Sequence, residues 1–126
     1  MKLNTLFLIT AIIAFFFGIL FVIIPTSTYS FYGIQSDPTL NYMAELFGAA
    51  LIGIGLIAWL SRKTTDNNAL KVITLSFFIA DGIGFIIALI GQINNVVNNL
   101  GWLTVAIYLV LSLGFAYFRF SKSVSS

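Results

Sequence analysis

The stretch Leu60-Ser61-Arg62-Lys63-Thr64-Thr65-Asp66-Asn67-Asn68-Ala69-Leu70-Lys71 holds three of the six basic residues of a 126-residue chain, and long apolar runs, Tyr42 to Leu60 and Val72 to Gly91, flank it. Further out the pattern repeats. The run Leu6 to Ile24 follows Lys2, and the run Leu100 to Phe120 ends among Arg119 and Lys122. Each run is close to the roughly 20 residues that a helix needs to cross a bilayer core. Threading four spans puts Lys2, the Arg62 to Lys71 connection and the Arg119 to Lys122 tail on one side, and the other two connections hold no Lys or Arg. Basic residues concentrate on the cytoplasmic side, so both termini are expected there, in a multi-pass protein of the inner (cell) membrane. The expected fold is all-α: residues 1–126 form one domain, a compact four-transmembrane-helix bundle with spans of about 6–24, 42–60, 72–91 and 100–120.

Composition points the same way, being 60% hydrophobic and 8% charged, against roughly 25% charged in soluble domains. The net charge of +2 does not imply nucleic acid, because every basic residue flanks a span and faces anionic lipid instead. There is no cysteine and no histidine, which removes disulfides, thiolate chemistry and imidazole bases or ligands. No cofactor, metal or catalytic residue is expected. Lys2 ahead of the first run, with Thr28 and Ser30 beyond it, has the outline of a signal peptide. The apolar part of such a peptide is only about 7–15 residues, so the run is expected to remain as a span.

Punctuation separates the runs. Pro25 ends the first, since proline lacks the N–H and clashes with the preceding turn. The connection Thr26 to Asn41 is aromatic, with Tyr29, Phe31 and Tyr32; Thr26 or Ser27 can cap a short helix that Gly33 stops. It is expected to lie at the outer interface, or to form a lid over a pocket there. Asp66, Asn67 or Asn68 caps the third span and Asn98 or Asn99 the fourth, while Arg62 and Lys63 sit at the negative end of the second helix. Trp102 and the loop tyrosines mark the outer aromatic belt, Trp59 and Tyr117 the inner one.

Small residues recur four apart, at Ala44/Gly48, Ala49/Gly53, Ala80/Gly84/Ala88 and Thr10/Ala14/Gly18. In lipid, helices associate through close backbone approach, so Gly48, Gly53 and Gly84 are expected at helix contacts within one bundle or between copies. Two acids carry the only prospect of chemistry. Asp81, ten residues past Lys71, lies about 15 Å deep, where an ionised carboxylate is costly. With no cation in any span, its simplest state is protonated, donating to Thr10, Tyr108 or Ser112. Glu45 lies nearer the outer end, either as an interfacial carboxylate or as the mouth of a path to Asp81. A shared-proton aspartyl protease needs two carboxylates about 3 Å apart. The different depths of Glu45 and Asp81 oppose that, as does the order Ala80-Asp81-Gly82-Ile83-Gly84, unlike the Gly-x-Gly-Asp of those enzymes. Thr104, Tyr108 and Ser112 form a polar stripe suited to interhelical hydrogen bonds.

The stretch Ala44-Glu45-Leu46-Phe47-Gly48-Ala49-Ala50-Leu51-Ile52-Gly53-Ile54-Gly55-Leu56, closed by Arg62, resembles the second helix of small uncharacterised prokaryotic four-span membrane families; Gly101-Trp102-Leu103-Thr104 and Ala116-Tyr117-Phe118 resemble their fourth. More distantly the layout is similar to DoxX-type bundles and the ergosterol-biosynthesis scaffold family, which implies tethering of partners rather than catalysis. That scaffold family tends to have an arginine before the second-helix glycine, where this chain has Glu45. The expected role is a scaffold or accessory subunit in the bilayer, partnered by another membrane protein or a second copy. The alternative is a small-solute or ion transporter using Asp81 as a proton or cation site. Reporter fusions test the topology. A cytoplasm-active reporter should work at Ser126 and a periplasm-active one at Asn95, and the reverse pattern would refute the threading.

Overall fold

Pro25 sets the first corner. The computed structural model describes residues 2–121, so Lys122 and the last four residues, 123–126, lie outside the described residues. Helix α1 (Leu3–Ile23) stops at Ile24, and Pro25 opens α2 (Pro25–Phe31) from the first helical position, where its missing N–H is no loss. Neither Thr26 nor Ser27 caps α2, contrary to expectation, because the proline already sets the helical φ there. Thr28 ties the corner together instead: its buried hydroxyl donates to the Ile24 carbonyl at 2.8 Å and the Leu20 carbonyl at 3.2 Å. Gly33, at φ 74°, ends α2; its N–H bonds Ser30 O and that of Ile34 bonds Tyr29 O, both at 3.0 Å. This paired closure needs a left-handed residue, which glycine supplies without steric cost.

Helix α3 (Pro38–Ser61) begins four residues ahead of its apolar run, since Asp37 accepts the Leu40 N–H at 2.9 Å and Pro38 takes the first position. Arg62 ends α3, donating to Trp59 O and lying 3.7 Å over the Trp59 ring, a cation–π contact at the level of an aromatic belt. Asp66 caps α4 (Asn67–Ile93) through the Asn68 N–H at 3.0 Å. Asn98 receives the Leu100 N–H one turn ahead of α5 (Gly101–Ala116), and α5 continues into a π-helical turn, Tyr117–Ser121. The spans Leu3–Ile23, Pro38–Ser61, Asn67–Ile93 and Gly101–Phe120 are each long and apolar enough to cross a bilayer. The protein is an all-helical, multi-pass membrane bundle with no strand among the described residues.

The bundle consists of two tight pairs, α1 against α3 and α4 against α5, which meet where α1 touches α5. Glycine decides both pairings. A Cβ at Gly48 would stand 2.7 Å from Gly18 O, and one at Gly55 would stand 2.8 Å from the Phe15 ring; a Cβ at Gly84 would collide with the Tyr108 ring. Gly53 departs from expectation, since a Cβ there would meet nothing within 4 Å. Helical rotation explains it: Gly55, seven residues from Gly48, is about 20° round the helix, whereas Gly53, five away, is about 140° round. Between the pairs, Phe7, Phe77 and Phe115 form a ring triad with centroids 5.0–6.2 Å apart. Leu3, Ala58, Leu70 and Phe118 join that cluster, which marks it as the end of the bundle bearing Lys2, Arg62, Lys63 and Lys71, here called the basic end; the other is the distal end.

Leucine at Gly48 or Gly55 should lower the melting temperature in detergent by several degrees, given about 1–3 kcal/mol for overpacking a core. The larger loss belongs to Gly48, where backbone blocks the new side chain, while Gly53→Leu should melt with the wild type. Equal melting of all three variants would refute the α1–α3 contact.

Candidate functional site

Towards the distal end the two helix pairs separate and enclose a cavity of about 360 Å³. Ala14, Phe17 and Phe21 of α1 and Phe47 and Leu51 of α3 form one wall; Ile87, Ala88 and Gly91 of α4 face them, with Thr104, Ile107 and Tyr108 of α5. No charged side chain lines it. α1 and α5 touch, whereas α3 and α4 make no comparable contact, so a gap between α3 and α4 lies beside the cavity. The jambs agree, for Phe47 is 46% and Ile87 66% exposed although both line the space. In a membrane that side faces hydrocarbon.

The connection for which the sequence leaves an interfacial position or a lid open lines the cavity through Tyr29, Tyr32 and Ile34, with Val96 and Val97 from the α4–α5 connection. Asn98 holds these two segments together. Its side chain donates to Phe31 O at 3.0 Å and its backbone N–H to Tyr32 O at 3.0 Å, while its own carbonyl accepts from Gln92 Nε2 at 3.2 Å. Tyr32 Oη and Thr104 Oγ1 add a further link at 3.0 Å, and Tyr29 Oη donates to Leu40 O at 3.0 Å. The sequence offers Asn98 or Asn99 as a cap; the cross-loop bonds of Asn98 depend on the fold.

Beneath the cavity, between its lining and the phenylalanine triad, comes a polar layer. One turn distal to each ring of the phenylalanine triad stands a hydroxyl or carboxyl: Thr10 after Phe7, Asp81 after Phe77, Ser112 ahead of Phe115 in α5. Ser112 packs beside the Asp81 turn, since its Oγ donates to Phe78 O at 3.2 Å and lies 3.5 Å from where a Gly82 Cβ would stand. Tyr108, against Gly84, is in electrostatic reach of Asp81 and lines the cavity above. The hydrogen bond expected from Asp81 to Thr10, Tyr108 or Ser112 is not found: Asp81 Oδ2 and Thr10 Oγ1 are both buried without a partner. The chain geometry brings these side chains to one level without closing the gap between them.

Glu45 is exposed on α3 and is not part of this constellation, because α3 pairs with α1 and not with α4. Among the described residues no three His, Cys, Asp or Glu side chains gather as a metal site. Residues 8–124 match a family described as a domain of unknown function, DUF8292. The chain belongs to the DUF8292 family. No curated protein and no solved structure gives a significant match to it. In this DUF8292 chain the distal cavity, its Asn98-bound roof and the polar layer beneath it are therefore the features from which function is read.

Asn98→Ala removes the side-chain hydrogen bond that joins the two roof segments and a second, local one that turns the chain into α5, each worth about 1 kcal/mol. Faster amide exchange is expected in residues 29–34 and 94–101, with the Gly48 region unchanged. Unaltered exchange in the roof would show that Asn98 does not hold it.

Proposed function

We propose that the protein is a lipid-binding accessory subunit of the inner membrane, receiving a hydrocarbon chain from the distal leaflet through the side opening between α3 and α4. One observation carries this reading: the cavity is apolar, roofed against the aqueous side, and beside a gap that faces lipid. Ligand pockets start near 300 Å³, so a cavity of about 360 Å³ suits a chain or part of one. An apolar space open to lipid gains from being filled, because its lining otherwise lacks dispersion contacts. The position of Lys2, Arg62, Lys63 and Lys71 at one end supports cytoplasmic termini, and with that orientation the cavity lies in the outer leaflet. The resemblance to scaffold-type bundles favours tethering over catalysis. A lipid-filled cavity adds a means for a membrane partner, or a second copy, to sense what the bilayer contains.

A diazirine-bearing fatty acid incorporated into nanodiscs with the protein tests this. Labelling should fall on peptides containing Phe47, Leu51 and Ile87, and Ala88→Trp, which fills the cavity from α4, should remove most of it. Ile83→Trp serves as control, because Ile83 is exposed on α4 and does not line the cavity. Equal labelling in wild type and Ala88→Trp would overturn the proposal.

A further inference from the structure

The layer below the cavity holds more oxygen than it can satisfy. Thr10 is 4% exposed and its hydroxyl oxygen has no partner, although a threonine in a helix ordinarily bonds back to a carbonyl one turn earlier. Asp81 Oδ2 is likewise sealed and unpartnered. Buried polar atoms without partners are costly, more so in a bilayer than in a soluble core. That two occur at one level, each a turn from the same aromatic triad and on different helix pairs, points to something that bridges them.

We infer that Thr10, Asp81, Ser112 and Tyr108 form a binding site for one monovalent cation of the sodium class, between the phenylalanine triad and the cavity floor. The donor chemistry selects the occupant. The set offers oxygen only, three hydroxyls and one carboxylate, the ligands of hard cations rather than of transition metals. A single carboxylate balances one positive charge, so a monovalent ion leaves the layer neutral; a divalent ion would leave a net charge in a medium that penalises it. Asp81 and Tyr108 are the titratable groups of the layer. No Lys or Arg lies between Lys71 and Arg119 on α4 and α5, or within α1, to compete as the countercharge. The ligands come from α1, α4 and α5, so a bound ion also bonds the two helix pairs where they begin to diverge. The site lies beneath the hydrocarbon cavity and does not depend on the lipid reading.

The experiment uses the full chain in nanodiscs, comparing sodium chloride with choline chloride at matched ionic strength and measuring melting temperature and bound ²²Na⁺. Sodium should raise the melting temperature in a saturable way, as a ligand of the native state does, and ²²Na⁺ should bind at one ion per chain. Asp81→Asn should abolish both responses. Thr10→Val, which keeps the shape of the side chain and leaves the carboxylate, should weaken sodium binding about tenfold, a loss of roughly 1.4 kcal/mol; it carries the test if Asp81→Asn does not fold. No ²²Na⁺ binding by the wild type, or binding unchanged in Thr10→Val, overturns the site. The first of these results would leave a water or a proton between the two oxygens.

Discussion

Helices surrounded by hydrocarbon gain little from hiding apolar surface, so this bundle depends on how closely backbones approach. Gly18 and Gly48 let α1 and α3 come together, and Gly84 accommodates the Tyr108 ring of α5 against α4. Each contact makes a pair; neither makes a bundle. The pairs are joined chiefly by Phe7, Phe77 and Phe115, large rings that fill the space at the basic end. Distal to those rings, among the described residues, the ring contacts stay within the α1–α3 side and its roof, and the cavity lies where the pairs are not so joined.

The distal connections carry the complementary burden. Backbone carbonyls near a membrane interface need donors, and Asn98, Tyr29 and Thr28 provide them at Phe31, Leu40, Leu20 and Ile24. These bonds fix α2 and the α4–α5 connection over the divergent helix ends. The roof is thus held mainly by polar contacts, while the basic end is held by aromatic packing.

Much of this was legible in the sequence. The four spans, the break at Pro25, the left-handed turn at Gly33 and the cap at Asp66 each follow from local chemistry. Gly53 takes no part in packing within the bundle; four-residue spacing alone does not say which face of a helix meets a neighbour. The distinction between Gly53 and Gly55 needs the partner, and only the fold shows Phe15 opposite Gly55. The level of Asp81 could be counted from Lys71, yet its lack of a hydrogen bond could not, since that depends on the offset between α1, α4 and α5. Nor does hydropathy reveal a cavity: apolar residues that line an open space and apolar residues that face lipid read alike.

The uneven filling of the bundle has a mechanical consequence. Well-packed interiors have low compressibility, so the triad end behaves as a rigid pivot, whereas the hollow distal half is where volume can change. Any change in the shape of the bundle is therefore expected in the hollow half, between α3 and α4, and not at the triad.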